Sequence, residues 1–60
     1  MTRKDYVALA AAIRGVYDIL ESNADRFVIC QVAQAIAAML AADNPRFERA
    51  RFIIAATGLN

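Results

Sequence analysis

Few side chains in this 60-residue sequence have the chemistry that catalysis near neutral pH requires. Acid–base and nucleophilic catalysis depend on groups that exchange protons or attack a substrate, and the sequence contains no histidine. Its one thiol, Cys30, lies in the most apolar part of the chain, where a free cysteine packs as a small hydrophobic residue. Gly15 and Gly58, the only glycines, cannot form a glycine-rich phosphate loop. We therefore expect no catalytic residue, no enzyme activity and no cofactor.

Metal ligands are equally scarce. One thiol without histidine cannot supply the four Cys/His ligands of a structural zinc site, and it has no partner for an internal disulfide. Asp18, Glu21 and Asp25 surround an expected turn, but three exposed carboxylates make a weak oxygen cage for a cation. We interpret them as a solvated turn and predict no metal site.

Three arginines near the C-terminus, Arg46, Arg49 and Arg51, form the clearest basic cluster. Three helices with a turn before the last resemble a helix-turn-helix layout, whose last helix enters the major groove of DNA. However, Arg46 and Arg49 project about 60° apart on a helix, whereas Arg51 points about 160° from Arg49. The three arginines are our candidate contacts for a phosphate group or an acidic partner, and a solvated face with local ion pairs is the simpler interpretation.

The apolar pattern predicts a first helix over residues 3–21. Thr2 and Asp5 have the spacing of a capping box, and Arg14 and Asp18 can pair one turn apart. The apolar side chains recur at spacings of three and four, which is typical of an amphipathic helix: they are Tyr6, Leu9, Ile13, Val16 and Leu20.

Residues 27–40 form the longest apolar run, interrupted only by Gln31 and Gln34, and predict a second helix over residues 24–42. Because only Ser22 and Asn23 separate it from the first helix, the two should form an antiparallel hairpin. Its expected core stripe is Ile29, Val32, Ala33, Ile36, Met39 and Leu40. A helix that is apolar on nearly every side needs further cover. We therefore predict an oligomer interface that includes Val28, Ala35 and Ala38.

A third helix is predicted over residues 45–57. Asn44 can cap it, Pro45 suits its first position, and Gly58 supplies a left-handed stop. If residues 45–57 form one helix, a single face of it holds Phe47, Ala50, Ile53 and Ile54. Phe52 would point roughly opposite to that face, so we add it to the predicted oligomer interface.

The length and composition predict one all-α domain over residues 1–60, a helical hairpin with a shorter third helix across its open end. A chain this short buries only about 60% of the surface that its unfolded form exposes, so its stability is marginal. Because a disulfide and a structural metal are excluded, association is the remaining way to stabilise the fold. A hydrophobic content of 60% favours a homo-oligomer, and in particular a dimer.

The formal charge of +1 gives no field that argues for nucleic acid or an anionic membrane. The apolar run is shorter than the ~20 residues that a spanning helix needs, so no membrane span is predicted. A lone thiol and the lack of a leader-type apolar segment after MTRKDY indicate a cytoplasmic protein.

The segments MTRKDYVALAAAIR and LAADNPRFERARFIIAATG resemble short, uncharacterised proteins of bacteriophages and prophages. The matching positions are residues 2–6 and 42–47, with Arg49, Arg51, Phe52 and Gly58. Glu48 replaces the more usual aspartate, and Thr57 stands where cysteine is commoner. The resemblance implies a cytoplasmic setting in a bacterial host and transfers no activity.

Together these observations favour a non-enzymatic, phage-type accessory protein that acts through protein–protein association with a second copy, a host protein or a phage protein. The alternative is a small nucleic-acid-binding protein that uses the arginines of the third helix.

Overall fold

Three helices account for most of the computed structural model, which describes residues 2–59. They are α1 (Arg3–Ile19), α2 (Asn23–Asp43) and α3 (Arg49–Thr57), and no strand occurs among the described residues. The predicted all-α, three-helix fold with a shorter third helix is confirmed. The first two helices begin and end within two residues of their predicted bounds, which is the usual uncertainty of a helix end.

Side-chain caps fix the starts of the first two helices. The backbone amide of Thr2 donates to Asp5 Oδ2 at 2.9 Å and the amide of Asp5 donates to Thr2 Oγ1 at 3.4 Å, so the predicted capping box is confirmed. Ser22 Oγ accepts hydrogen bonds from the amides of Ala24 and Asp25, at 3.2 and 3.4 Å. These bonds satisfy amides that have no partner inside their own helix.

The start of α3 differs from the prediction, because residues 45–48 lie outside the helix. Asn44 Oδ1 accepts a hydrogen bond from the amide of Arg46 at 3.0 Å, and the Asn44 carbonyl accepts one from the amide of Phe47 at 3.0 Å. An asparagine side chain that bonds two residues ahead stabilises a turn in competition with a helix. Asn44 therefore holds a turn before Glu48, and α3 begins only at Arg49.

The two long helices run antiparallel, and α3 packs against both of them. Asn44 Nδ2 donates to the Tyr6 hydroxyl at 3.3 Å, joining the end of α2 to the start of α1. At the other end, the Arg26 guanidinium lies over the Tyr17 ring, 4.9 Å from its centroid. α3 contacts α1 most extensively, and the contact between α1 and α2 is the smallest of the three. The helix pair is thus held together largely through α3.

The core is small and rich in alanine. It contains Ala10, Ile13, Ala33, Ala37, Leu40, Phe52 and Ala56. Of the stripe predicted for α2, Ala33 and Leu40 are buried, whereas Val32 is 44% exposed and Met39 is 61% exposed. The prediction of a core position was wrong for those two, because alanines on the buried face let the neighbouring helices approach closely and the larger side chains lie outside the contact.

Phe52 is a core residue, and its assignment to an oligomer interface was wrong. It is 5% exposed, and its ring centroid lies 5.5 Å from that of Phe47, which packs edge-on to Tyr6 at 4.9 Å. The prediction placed Phe47 and Phe52 on one continuous helix, but Phe47 precedes α3. The relative direction of the two side chains is therefore set by the turn at Asn44. The buried face of α3 holds Phe52, Ala56 and Thr57, while Ala50 and Ile54 are exposed.

Replacement by alanine is expected to have opposite effects on stability at the two glycines. Gly58 ends α3 with φ +74°, and a β-carbon there would lie 2.7 Å from Arg14 Nη1. We expect Gly58→Ala to lower the free energy of unfolding by about 1–2 kcal/mol, because an L residue is strained in the left-handed region. Gly15 is exposed inside α1 with nothing within 4 Å of an added β-carbon. We expect Gly15→Ala to raise the free energy by about 0.5–1 kcal/mol.

Urea denaturation followed by circular dichroism measures both changes. Shifts of the same sign in the two variants would contradict this account of the glycines.

Candidate interaction surfaces

The face of α2 that points away from the core exposes a continuous apolar stripe. Val28, Val32 and Met39 are 58%, 44% and 61% exposed. Together with the exposed Ala35 and Ala42 they follow one another at spacings of four, three, four and three. This is the spacing of the contact seam in a coiled coil. We call these five residues the α2 seam.

The seam is exposed because α1 and α3 occupy the other sides of α2. Ala33 and Ala37 are fully buried, and Ala35 projects about 160° from Ala33 around the helix. The predicted interface residues Val28, Ala35 and Ala38 all lie on exposed positions, whereas Phe52 does not. A single copy of the chain therefore leaves the outer side of its most apolar helix in water.

α2 is also the one helix of residues 2–59 that is long and apolar enough to cross a membrane, with 21 residues of which few are buried. Gln31 and Gln34 lie near its midpoint, where polar side chains are costly in lipid, and Asp25 and Arg26 occupy its first turn. These four polar and charged side chains would be costly to place in a bilayer.

A second surface is an open groove between the start of α1 and α3, with a volume of about 450 Å³. Its lining combines the apolar side chains of Val7, Phe47 and Phe52 with the charged side chains of Arg3, Arg46, Arg51 and Glu48. We call this surface the arginine groove. Arg51 Nε forms an exposed ion pair with Glu48 Oε2 at 3.1 Å. Arg3 and Arg46, the other two cations of the lining, form no ion pair among residues 2–59.

The structure separates the three arginines that were predicted as candidate contacts. Arg46 and Arg51 line the arginine groove, whereas Arg49 lines a shallow cavity on the other side of α3 with Cys30 and Gln34. Sequence reasoning missed Arg3, which the antiparallel hairpin brings next to the turn at Asn44. The predicted antiparallel hairpin could have identified Arg3, since it places the first residues of the chain beside the end of the second helix.

The residues that were considered as metal ligands do not come together in the structure. Within residues 2–59, no three His, Cys, Asp or Glu side chains are placed to hold a metal ion. Asp18 Oδ1 accepts from Arg14 Nε at 2.9 Å, which confirms the predicted pair and occupies one carboxylate of the acidic turn. Cys30 is partly buried and free, beside the apolar side chains of α3.

Comparison with models of protein families, with curated proteins and with solved structures gives no match for this chain. Function is therefore inferred from the α2 seam, the arginine groove and the charges around them.

Proposed function

We propose that this chain is a non-enzymatic module that works by protein–protein association and pairs with a second copy of itself. Following the resemblance of its two ends, we place it among phage-type accessory proteins in the cytoplasm of a bacterial host. One observation carries the proposal, namely that Val28, Val32 and Met39 of the seam are 44–61% exposed in the single copy. A contiguous apolar stripe of this kind on a small protein is typical of an interaction site.

The seam is suited to pair with itself. Burying one Val, Leu or Met side chain completely contributes about 1.5–3 kcal/mol, and a pair of copies covers such side chains on both. Asp25 continues the seam spacing at its N-terminal end. Parallel pairing would set Asp25 against the Asp25 of the second copy, and like charges at a contact position repel. We therefore propose an antiparallel, two-fold symmetric pair of α2 helices.

Charged substitutions in the seam test the proposal. We expect Val32→Glu/Met39→Glu to convert a dimer into a monomer of 6.6 kDa, because two buried, unpaired carboxylates disfavour the contact. Sedimentation equilibrium at about micromolar protein concentration and about 0.5 M salt measures the mass, because salt at this level screens contacts between exposed charges and leaves apolar contacts in place. Helicity should be retained, since both side chains are exposed in the single copy. Ala11→Glu, an exposed position on α1, is the matched control and should leave the dimer intact.

Three results would count against the proposed function, each against a different part of it. The first is a wild-type monomer of 6.6 kDa over the whole concentration range. The second is flotation of the wild-type chain with phosphatidylcholine vesicles, lost in Val32→Glu/Met39→Glu, which would assign α2 to a membrane surface. The third is retention on heparin that falls steeply with salt and disappears in Arg46→Ala/Arg49→Ala, which would favour the nucleic-acid alternative. The placement of Arg49 away from Arg46 lends that alternative little support.

A further inference from the structure

The small net charge of the chain conceals a separation of charge between its two ends. The molecule measures 33 × 17 × 17 Å. The end at the hairpin turn holds three acidic residues, Asp18, Glu21 and Asp25, and two arginines, Arg26 and the Arg14 that pairs with Asp18. The opposite end holds five basic and three acidic residues: Arg3, Lys4, Arg46, Arg49, Arg51, Asp5, Asp43 and Glu48. The chain is therefore net negative at one end and net positive at the other.

The acidic end, residues 18–27, is also apolar, and we call it the acidic tip. Ile19, the last residue of α1, is 76% exposed, and Phe27 in the first turns of α2 is 63% exposed. Of the three tip carboxylates, Asp18 pairs with Arg14. Glu21 and Asp25 are exposed and form no ion pair among residues 2–59. The tip thus presents large apolar side chains and unpaired carboxylates together.

The arginine groove has the complementary chemistry at the other end. Its apolar lining residues can contact a large side chain, and Arg3 and Arg46 in the same lining can meet a carboxylate. The structure therefore carries, on one chain, an acidic apolar projection and a basic apolar recess that fit in both charge and polarity.

We propose that the acidic tip of one copy docks into the arginine groove of the next copy. This contact joins two different surfaces, so it is a heterologous, head-to-tail contact that extends into a ring or a filament unless it is blocked. Opposite charges on the two surfaces favour the encounter and make it sensitive to salt. The contact does not use the α2 seam, so it stands or falls independently of the two-fold pairing proposed above.

Charge reversal at each end gives a direct test, made in the Val32→Glu/Met39→Glu background so that seam pairing is removed. One chain carries Arg3→Glu/Arg46→Glu and lacks a basic groove, and the other carries Glu21→Lys/Asp25→Lys and lacks an acidic tip. Sedimentation velocity at low ionic strength should find the parent background in species larger than 6.6 kDa that grow with concentration and dissociate near 0.5 M salt, where the screening length falls to about 4 Å. Each reversal alone should sediment as a monomer.

Mixing the two reversed chains provides the decisive measurement. One chain retains an intact tip and the other an intact groove, and the two reversed surfaces are also opposite in charge, so a 1:1 mixture should associate into species of at least twice 6.6 kDa. Lys4→Glu/Arg49→Glu is the matched control, because it changes the charge of the basic end by the same amount at residues outside the groove. It should associate like the parent. Circular dichroism confirms that each variant folds.

Several outcomes would overturn the proposal: a parent background that stays monomeric at low salt, a reversal variant that still associates alone, or a 1:1 mixture that remains monomeric. Loss of association in the Lys4→Glu/Arg49→Glu control would also overturn it, because the effect would then come from net charge and not from the groove.

Discussion

Replacing Phe52 by alanine is expected to remove most of the stability of this domain. Phe52 is 5% exposed and packs against Phe47, and truncating a buried phenylalanine to alanine costs about 3–5 kcal/mol. A 60-residue domain has a total free energy of unfolding of about 3–9 kcal/mol at the usual contribution per residue. Phe52→Ala should therefore be largely unfolded or unfold at much lower urea concentration, as followed by far-ultraviolet circular dichroism.

Phe27→Ala is the matched control for Phe52→Ala. It removes the same side chain from a site that is 63% exposed, and a surface change of this kind is expected to alter the free energy of unfolding by at most about 0.5 kcal/mol in the monomer. Equal losses in the two variants would contradict the assignment of Phe52 to the core. A loss in Phe52→Ala that appeared only at low protein concentration would instead return Phe52 to an oligomer interface.

The second large effect is expected from filling the space between the helices. Ala37 is fully buried, so a leucine there has to displace the helices packed against α2. Overpacking a close-packed core costs about 1–3 kcal/mol, which is a large share of the stability of so small a domain. We expect Ala37→Leu to lower the urea midpoint accordingly.

Ala38→Leu, at the next position of the same helix, is the control for Ala37→Leu. Ala38 is exposed, and leucine is nearly as good a helix former as alanine, so the midpoint should stay almost unchanged at concentrations where the chain is monomeric. If both leucines were tolerated equally, the close approach of the helices at Ala37 would not be a constraint on this fold.

The helix starts differ in how well the sequence predicts them. The helix starts at Thr2 and Ser22 follow from local rules, because a cap depends on residues within one turn of the chain. The start of α3 depends on a competition between two uses of Asn44, as a helix cap or as the acceptor of a turn. Sequence alone favoured the cap, and the error rotated the predicted face of α3 so that Phe52 was assigned to the surface.

The core of α2 was harder to predict for a different reason. Where a helix is apolar on nearly every side, the pattern of large side chains does not indicate which side faces its neighbours. Ala33 and Ala37 are buried because small side chains permit close packing, while Val28 and Met39 are left outside. That choice depends on how α1 and α3 fit against α2, which is a tertiary property.

The arginine groove shows a third limit. Arg46 and Arg51 were recognised from their proximity in the sequence, but Arg3 joins them only through the antiparallel path of the chain. The exposed seam and the opposite charges of the two ends are likewise properties of the folded chain.

The prevalence of alanine in the core has a thermodynamic consequence. The heat capacity increment of unfolding comes mainly from apolar area that becomes hydrated, and a core that includes Ala10, Ala33, Ala37 and Ala56 hides less of it than one built from leucine or isoleucine. The increment should therefore lie at or below the low end of the common range, about 12 cal/mol/K per residue. The stability curve of the monomer would then be flat, so that its folded population changes only gradually with temperature.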